Sequence, residues 1–312
     1  METNWTTNDI PDQTGKVIII TGANSGIGYE AAKELARKGA RIILACRNIP
    51  SAETAQMHIQ SEITNARVEV MHLDLANLTS VRKFAEEYRR NYDRLDVLVN
   101  NAGIMMVPYG TTVDGFERQF GTNHLGHFAL TGLLLDLLLG TPRSRVVNVS
   151  SVGHRFGTMD FDNLMYAEGK GYMPARAYGR SKLANLLFTY ELQHRYEVTG
   201  ADALAVAAHP GTSHTNLTSH MAGQWFIKLT QPLQALIVQS AAMGALPTLR
   251  AAVDTGVVSG QYYGPDGRME QRGFPVVVQS NAASHNMADA RKLWEISEEL
   301  TGVSYGVLDE AA

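Results

Sequence analysis

From residue 17 to about residue 265 the chain alternates short apolar runs with longer stretches whose apolar residues recur every three or four positions. No other feature constrains its fold as strongly. The runs fall at 17–21, 41–45, 68–73, 95–99, 146–150, 203–208 and 261–263, and sets such as Ile27, Ala31, Leu35 or Val81, Phe84, Ala85, Tyr88 mark helices between them. Strand, helix, strand repeated this way demands right-handed crossovers and a parallel sheet with helices on both faces. The expectation is a doubly wound α/β fold of about seven parallel strands. No Pro/Gly/Ser-rich linker, internal repeat or low-complexity tract interrupts the alternation, so one domain over residues 14–312 is expected, preceded by an N-terminal arm at 1–13. Residues 152–177 and 212–234 break the rhythm. Both follow strand C-termini, where ligands bind in open α/β sheets, and long connections there are usually functional; 212–234 reads as a substrate loop. The tail from 265 to 312 reads as a flap ending in a helix near 288–300, with Trp294 and Ile296 available to pack.

Charge and cysteine content remove several function classes. With 27 basic against 31 acidic side chains, a net charge of −4, there is no electrostatic footprint for nucleic acid, and none is expected as a partner. The lone Cys46 excludes an internal disulfide, and no Cys/His cluster has zinc-site spacing, so no metal is expected. The first residues, METNWTTNDIPDQTG, lack the basic and apolar parts of a secretory signal. The greasiest stretch, 129–139, is too short to span a bilayer and contains Asp136. These readings predict a cytoplasmic protein without an integral membrane segment.

The first run passes into TGANSGIG, residues 21–28. Gly22, Gly26 and Gly28 suit a tight turn, close backbone approach and helix–strand packing, and the helix opening near Gly26 offers unpaired N–H groups to a pyrophosphate. A glycine-rich turn alone is a weak signal, but its place after a strand and before a helix is the context that a Rossmann-type dinucleotide site requires. Asn24, Ser25 and Ile27 complete the candidate turn. At the end of the second run, where an acid would bond the ribose of NAD, the sequence reads LACRN; Arg47 instead offers a charged fork suited to a 2′-phosphate. NADP(H) is therefore expected over NAD(H), against the plainer reading of Arg47 as a surface arginine. Asp74 and Leu75 after the third strand, and Asn101, Ala102 and Gly103 in NNAG after the fourth, place further groups along the same line of strand ends.

Tyr178 and Lys182 in YGRSK stand four apart, on one helix face. An ammonium near a phenol favours its ionised form and brings it toward the working range of an acid or base. Ser151, ending VVNVSS, offers a hydroxyl to orient a substrate oxygen, with Ser150 ranked second. Asn123, opening NHLGHFALTG, is expected to connect Lys182 to solvent. A bare Tyr-x-x-x-Lys is more often a plain helix-surface pair; the other motifs in order are what tip the balance.

TGANSGIG, NNAG, Asn123, Ser151, Tyr178-x-x-x-Lys182 and the HPG of 209–211, in that order over about residues 14–265, resemble the short-chain dehydrogenase/reductase superfamily. LACRN, NVSSVGHR, SKLANLLFT, AAHPGT and LWEISEELTG look like its branch of retinol dehydrogenases and related oxidoreductases. The resemblance implies a catalytic tetrad of Asn123, Ser151, Tyr178 and Lys182. It also implies that Lys182 holds the nicotinamide ribose and that Pro210, Gly211, Thr212 and Thr215 contact the carboxamide end. The expected reaction is hydride transfer between an alcohol and an aldehyde or ketone, on a bulky, lipophilic, retinoid-like small molecule. Two departures stand out. Ser151 and Tyr178 are 27 residues apart, more than in the shortest family members, which leaves homodimer and monomer both open. The N-terminus lacks the anchor typical of vertebrate retinol dehydrogenases, so membrane-borne retinoids are not an assured substrate.

Other features read as structure first. His124 and His127, three apart, lack a third metal ligand. His209 belongs to the HPG turn, while His214 and His220 read as exposed loop residues. Met221, Trp225, Phe226 and Ile227 suit either a lid over a lipophilic substrate or a helix packed on the sheet. The run 133–139 reads as a buried helix face, and Tyr172 and Met173 are weak candidates for the pocket wall. A redox role for Cys46 would need exposure and a lowered pKa. The competing function is a non-catalytic NADP(H)-binding sensor on the same fold, which could dispense with Tyr178 and Lys182. A serine hydrolase is set aside because no G-x-S-x-G elbow is present.

Overall fold

The computed structural model describes residues 4–212 and 239–308. Among these residues eight strands form one sheet in the order β3-β2-β1-β4-β5-β6-β7-β8. These are β1 (Val17–Thr21), β2 (Arg41–Cys46), β3 (Arg67–His72), β4 (Val97–Asn100), β5 (Ser144–Val149), β6 (Ala203–Ala208), β7 (Tyr262–Pro265) and β8 (Pro275–Val277). The first seven are the parallel strands that the periodicity predicts, each within a few residues of its expected bounds. The eighth is additional: Pro275–Val277 folds back antiparallel on β7, with Tyr263 opposite Val277. Three residues inside a Gly- and Pro-punctuated tail carry too little pattern to be read as a strand, and a proline is tolerated at that edge.

Alternation along each strand divides the core. Ile18 and Ile20 of β1 and Ile42 and Leu44 of β2 face α1 (Gly26–Arg37), α2 (Ile49–Glu62) and α8 (Ala241–Val253). Ile19, Ile43, Ala45 and Leu98 face the opposite layer of α3 (Leu78–Asn91), α5 (Gly126–Leu133), α6 (Leu135–Gly140), α7 (Pro174–Thr199) and α9 (Met287–Thr301). Both faces of the central strands are buried, which is why they read as unbroken apolar runs. Trp5 and Ile10 of the N-terminal arm pack into the first layer.

Helix ends follow local chemistry. Asn48, Asn77, Ser240 and Asn286 cap α2, α3, α8 and α9 through their side chains, and left-handed Gly200 and Gly302 close α7 and α9. The leucine-rich run breaks at Leu134 into α5 and α6, with Leu134, Leu135 and Leu138 buried as expected of a core face. The chain reverses its direction of travel across the sheet between β1 and β4. A crevice opens there at the strand C-termini.

Candidate active site

That crevice is a cleft of about 570 Å³. Of the residues singled out in the sequence, Gly22, Asn24, Ser25, Gly26, Ile27, Gly28, Arg47, Asp74, Leu75, Asn101, Ala102, Gly103, Tyr178, Lys182 and Pro210 line it. Ser150, the second-ranked serine, lines it too, as do Thr122, Val149, Ile104 and Met105, which carry no chemistry that would have singled them out in the sequence. Gly211 and Thr212 flank the cleft without lining it; Thr212 N–H donates to the Gln271 carbonyl of the C-terminal tail at 2.8 Å. Thr215, His214, His220 and the apolar group Met221, Trp225, Phe226 and Ile227 lie outside the described residues, as does nearly all of the 212–234 loop.

At one end of the cleft, the α1 N-terminus has no side-chain cap, since Ser25 makes no capping hydrogen bond. Its first N–H groups are left for an anion. Gly22 adopts φ +65°, and a Cβ at Gly28 would lie 2.5 Å from Asn101 Nδ2 and 2.9 Å from the Gly22 carbonyl. The turn is thus packed as tightly as backbone allows. Arg47 is exposed and forms no ion pair among the described residues, leaving its fork available at the cleft wall. The backbone donors, the bare helix end and the exposed guanidinium together fit the phosphates of a dinucleotide. Cys46 is buried and burial pushes its thiol up to about 11, which removes the redox idea.

At the other end, α7 presents Tyr178, Lys182, Asn185 and Thr189 as one stripe toward the sheet. Lys182 Nζ and Asn185 Nδ2 both donate to the Val149 carbonyl, at 2.9 and 3.2 Å. Asn148 Nδ2 donates to Thr189 Oγ1 at 3.0 Å. Burial alone brings the Lys182 ammonium down to about 8. Burial raises the Tyr178 phenol above its ordinary value, and its hydrogen bond with Ser151 opposes that rise. The expected lowering of Tyr178 by Lys182 is not what the geometry gives: the ammonium stands 5.9 Å from the ring centroid, engaged with Val149.

Ser151 follows β5 in a tight turn, its hydroxyl accepting the Gly153 N–H at 3.1 Å. Ser150, the second choice, is committed elsewhere, its Oγ donating to the Lys182 carbonyl at 2.8 Å. His154 Nδ1 lies 2.6 Å from the Ser151 carbonyl and must donate to it, while its Nε2 accepts the Asn281 N–H at 3.3 Å. A buried neutral imidazole thereby ties the serine turn to the C-terminal tail. Nothing in the NVSSVGHR string distinguishes that histidine from a surface one.

Asn123 sits in a π turn, Gly121–Leu125, between the short α4 (Arg118–Phe120) and α5. Its Oδ1 accepts the Ile104 N–H at 2.8 Å and its Nδ2 donates to the Ile104 carbonyl at 2.9 Å and to Ser181 Oγ at 2.9 Å. The side chain is spent on this clamp, so the expected link from Asn123 to Lys182 is not a direct side-chain contact. His124 bonds Ser297 of α9 and His127 bonds Thr21 of β1, and among the described residues no group of ligands could hold a metal. Tyr172 stacks edge-on against Tyr109 and Tyr166 and donates to the Val107 carbonyl, and Met173 is exposed; neither lines the cleft.

Comparison with known proteins adds relatives to this geometry. The family model for short chain dehydrogenase matches residues 16–224. The chain is 44% identical over 293 residues to retinol dehydrogenase 12 of Mus musculus, covering 93% of this chain and 88% of that one. It is 43% identical over 294 residues to retinol dehydrogenase 13 of Homo sapiens, covering 93% and 85%. Among solved structures, a protein from Mycobacterium paratuberculosis superposes with a TM-score of 0.81 at 42% identity, over 97% of this chain and 99% of that one. A short chain dehydrogenase from Shigella flexneri, complexed with NADP, superposes with a TM-score of 0.62 at 26% identity, over 80% and 97%.

Proposed function

The chain belongs to the short chain dehydrogenase family, in its retinol-dehydrogenase-like branch, and from that premise we propose an NADP(H)-dependent oxidoreductase that interconverts an alcohol and an aldehyde or ketone. The observation that carries this reading is the meeting of Tyr178, Lys182 and the 22–28 turn on one cleft of dinucleotide size. The α1 N-terminus and the 22–28 turn would hold the pyrophosphate. Arg47 would take the 2′-phosphate, and Asp74, Leu75 and Asn101–Gly103 would hold the middle of the molecule. Lys182 and the segment from Pro210 onward would hold the nicotinamide end. When bound, the cofactor supplies or accepts a hydride at the carbinol carbon.

The chain's own part is geometry and a proton. Tyr178, a phenol protonated at neutral pH and held further so by burial, is set to give its proton to a carbonyl oxygen as reduction proceeds, and to recover one on oxidation. The Ser151 hydroxyl, already beside the phenol, fixes the same oxygen. Lys182, charged below about pH 8, would hold the nicotinamide ribose in place beside the phenol. Cytoplasmic residence belongs to this proposal; among the described residues no helix is long and apolar enough to cross a membrane. A bulky lipophilic substrate is the class proposed, supported by the names of the relatives and by the apolar Ile104 and Met105 on the cleft wall.

The test is oxidation of NADPH and NADH by the purified protein against a panel of aldehydes and ketones that includes retinal, with Tyr178→Phe alongside. Turnover with NADPH that vanishes in the variant, while NADPH binding persists, is the expected result. Tight NADPH binding without turnover across the panel would instead favour the sensor.

A further inference from the structure

His127 is 1% exposed, and both of its ring nitrogens are used. Nδ1 lies 3.0 Å from the carbonyl oxygen of Asn123, one helical turn back, and Nε2 lies 2.9 Å from Thr21 Oγ1 at the end of β1. A carbonyl only accepts, so Nδ1 carries a proton. Burial, helped by the nearby Lys182 charge, pushes the ring pKa down to about 4 and keeps the imidazole neutral, so Nε2 is bare and accepts the Thr21 hydroxyl proton, at 2.9 Å against 3.4 Å to the competing Val99 carbonyl. Thr21 Oγ1 in turn accepts the N–H groups of Asn101 and Ala102, each at 2.9 Å.

These bonds close a ring. Thr21 grips residues 101 and 102 at the start of the β4 turn, and the Asn123 side chain grips both backbone groups of Ile104 at its end. His127 joins Thr21 to the Asn123 main chain. Gly103, which lines the cleft, is held between the two grips.

We propose that His127 is a positioning residue that couples the 101–104 turn of the dinucleotide cleft to Asn123, acting as a neutral imidazole in its Nδ1–H form with one end on each partner. The inference deepens the oxidoreductase reading and its kinetic arm rests on it. The two ends have separable tasks: the Thr21 end sets the turn that faces the dinucleotide, and the Asn123 end sets the π turn beside Tyr178 and Lys182. His127→Asn keeps a donor near the Nδ1 position and loses the contact to Thr21. His127→Gln keeps a polar group near the Nε2 position and loses the bond to Asn123.

Two measurements test this. In the wild-type protein, nitrogen-15 NMR of the histidine rings should show His127 with Nδ1 protonated and unchanged across neutral pH, whereas His124, whose Nε2 donates to Ser297, should show the opposite form. For the variants, NADPH affinity by direct titration and kcat should separate. His127→Asn should weaken NADPH binding about threefold or more while kcat stays within about threefold; His127→Gln should leave binding within about twofold and lower kcat at least about tenfold, the scale of one unsatisfied buried carbonyl. An Nε2–H or titrating His127, or equal changes of both parameters in both variants, would overturn the proposal. If neither variant folds, the NMR form decides. If the wild type turns over no carbonyl or alcohol, the oxidoreductase reading fails while the tautomer and the binding contrast still decide the role of His127.

Discussion

Lys182 holds its proton at neutral pH by a small margin, because nothing in the described structure offsets the burial of its ammonium except one carbonyl. A lysine depressed to about 8 is charged below that pH and neutral above it. Carbonyl reduction should therefore fall as pH rises through about 8, and Lys182→Arg, which cannot deprotonate in that range, should move or remove that limb even at lower absolute rate. A profile flat through this region in the wild type would separate Lys182 from the chemistry. Arg47 supports a second residue-scale expectation: Arg47→Asp should weaken NADPH binding by at least about tenfold while changing NADH little, since a planar cation against a phosphate is replaced by a like charge. Equal effects on both dinucleotides would refute the 2′-phosphate assignment. The cleft positions of Gly28, Arg47 and Tyr178 were readable because each sits in a motif with its own chemistry. His127 and His154 were not, because their roles depend on partners 106 and 127 residues away in sequence.

Between elements, the meeting of Ser151 with Tyr178 depends on backbone contact. The 153–157 turn lies directly against α7, and a Cβ on Gly179 would stand 2.8 Å from the Gly153 carbonyl and 2.9 Å from Gly157 N. Gly179→Ala should cost about 1–3 kcal/mol by overpacking. It should also lower kcat more than it weakens NADPH binding, because the serine turn moves away from the phenol while the distant 22–28 turn is untouched. Thermal unfolding and a binding titration on the same sample check both parts, and unaltered kcat in a folded variant would show that the contact does not set the site. The parallel strands and helices α1 and α3 were legible from their apolar period. The π turn at Gly121–Leu125 was not, since the π turn leaves the surrounding apolar pattern almost unchanged, and β8 was hidden by its length and its proline.

Across the whole molecule, α7 is buried on nearly every side. The sheet covers one face, and α9 with the closing turn Gly306–Leu308 covers the other. Trp294 of α9 lies 5.3 Å from Phe128, 5.8 Å from Phe188 and 4.4 Å from Tyr305, ring centroid to centroid, joining α5, α7 and the tail. Trp294→Ala should cost about 3–5 kcal/mol, read as a large fall in the denaturation midpoint, and a shift of less than 1 kcal/mol would mean that the tail is a loose appendage. The packing of Trp294 was foreseeable from its place in an amphipathic helix. That the tail also reaches back to the site was not: Arg155 donates to Glu270 at 2.7 Å, and Glu270 lies 3.0 Å from His209, so the serine turn, the HPG turn and the tail share one carboxylate. Such a junction joins three segments far apart in sequence and leaves no local pattern.

Hydride transfer at a carbinol carbon under the control of Tyr178 can be followed by isotope. Purified protein would be given NADPH deuterated at one or the other C4 position and an aldehyde substrate, and the alcohol product read by mass spectrometry and NMR. Deuterium should appear on the carbinol carbon from one of the two positions only, with no labelled alcohol from Tyr178→Phe. Alcohol formed without label from either position, or labelled equally well by the variant, would contradict it.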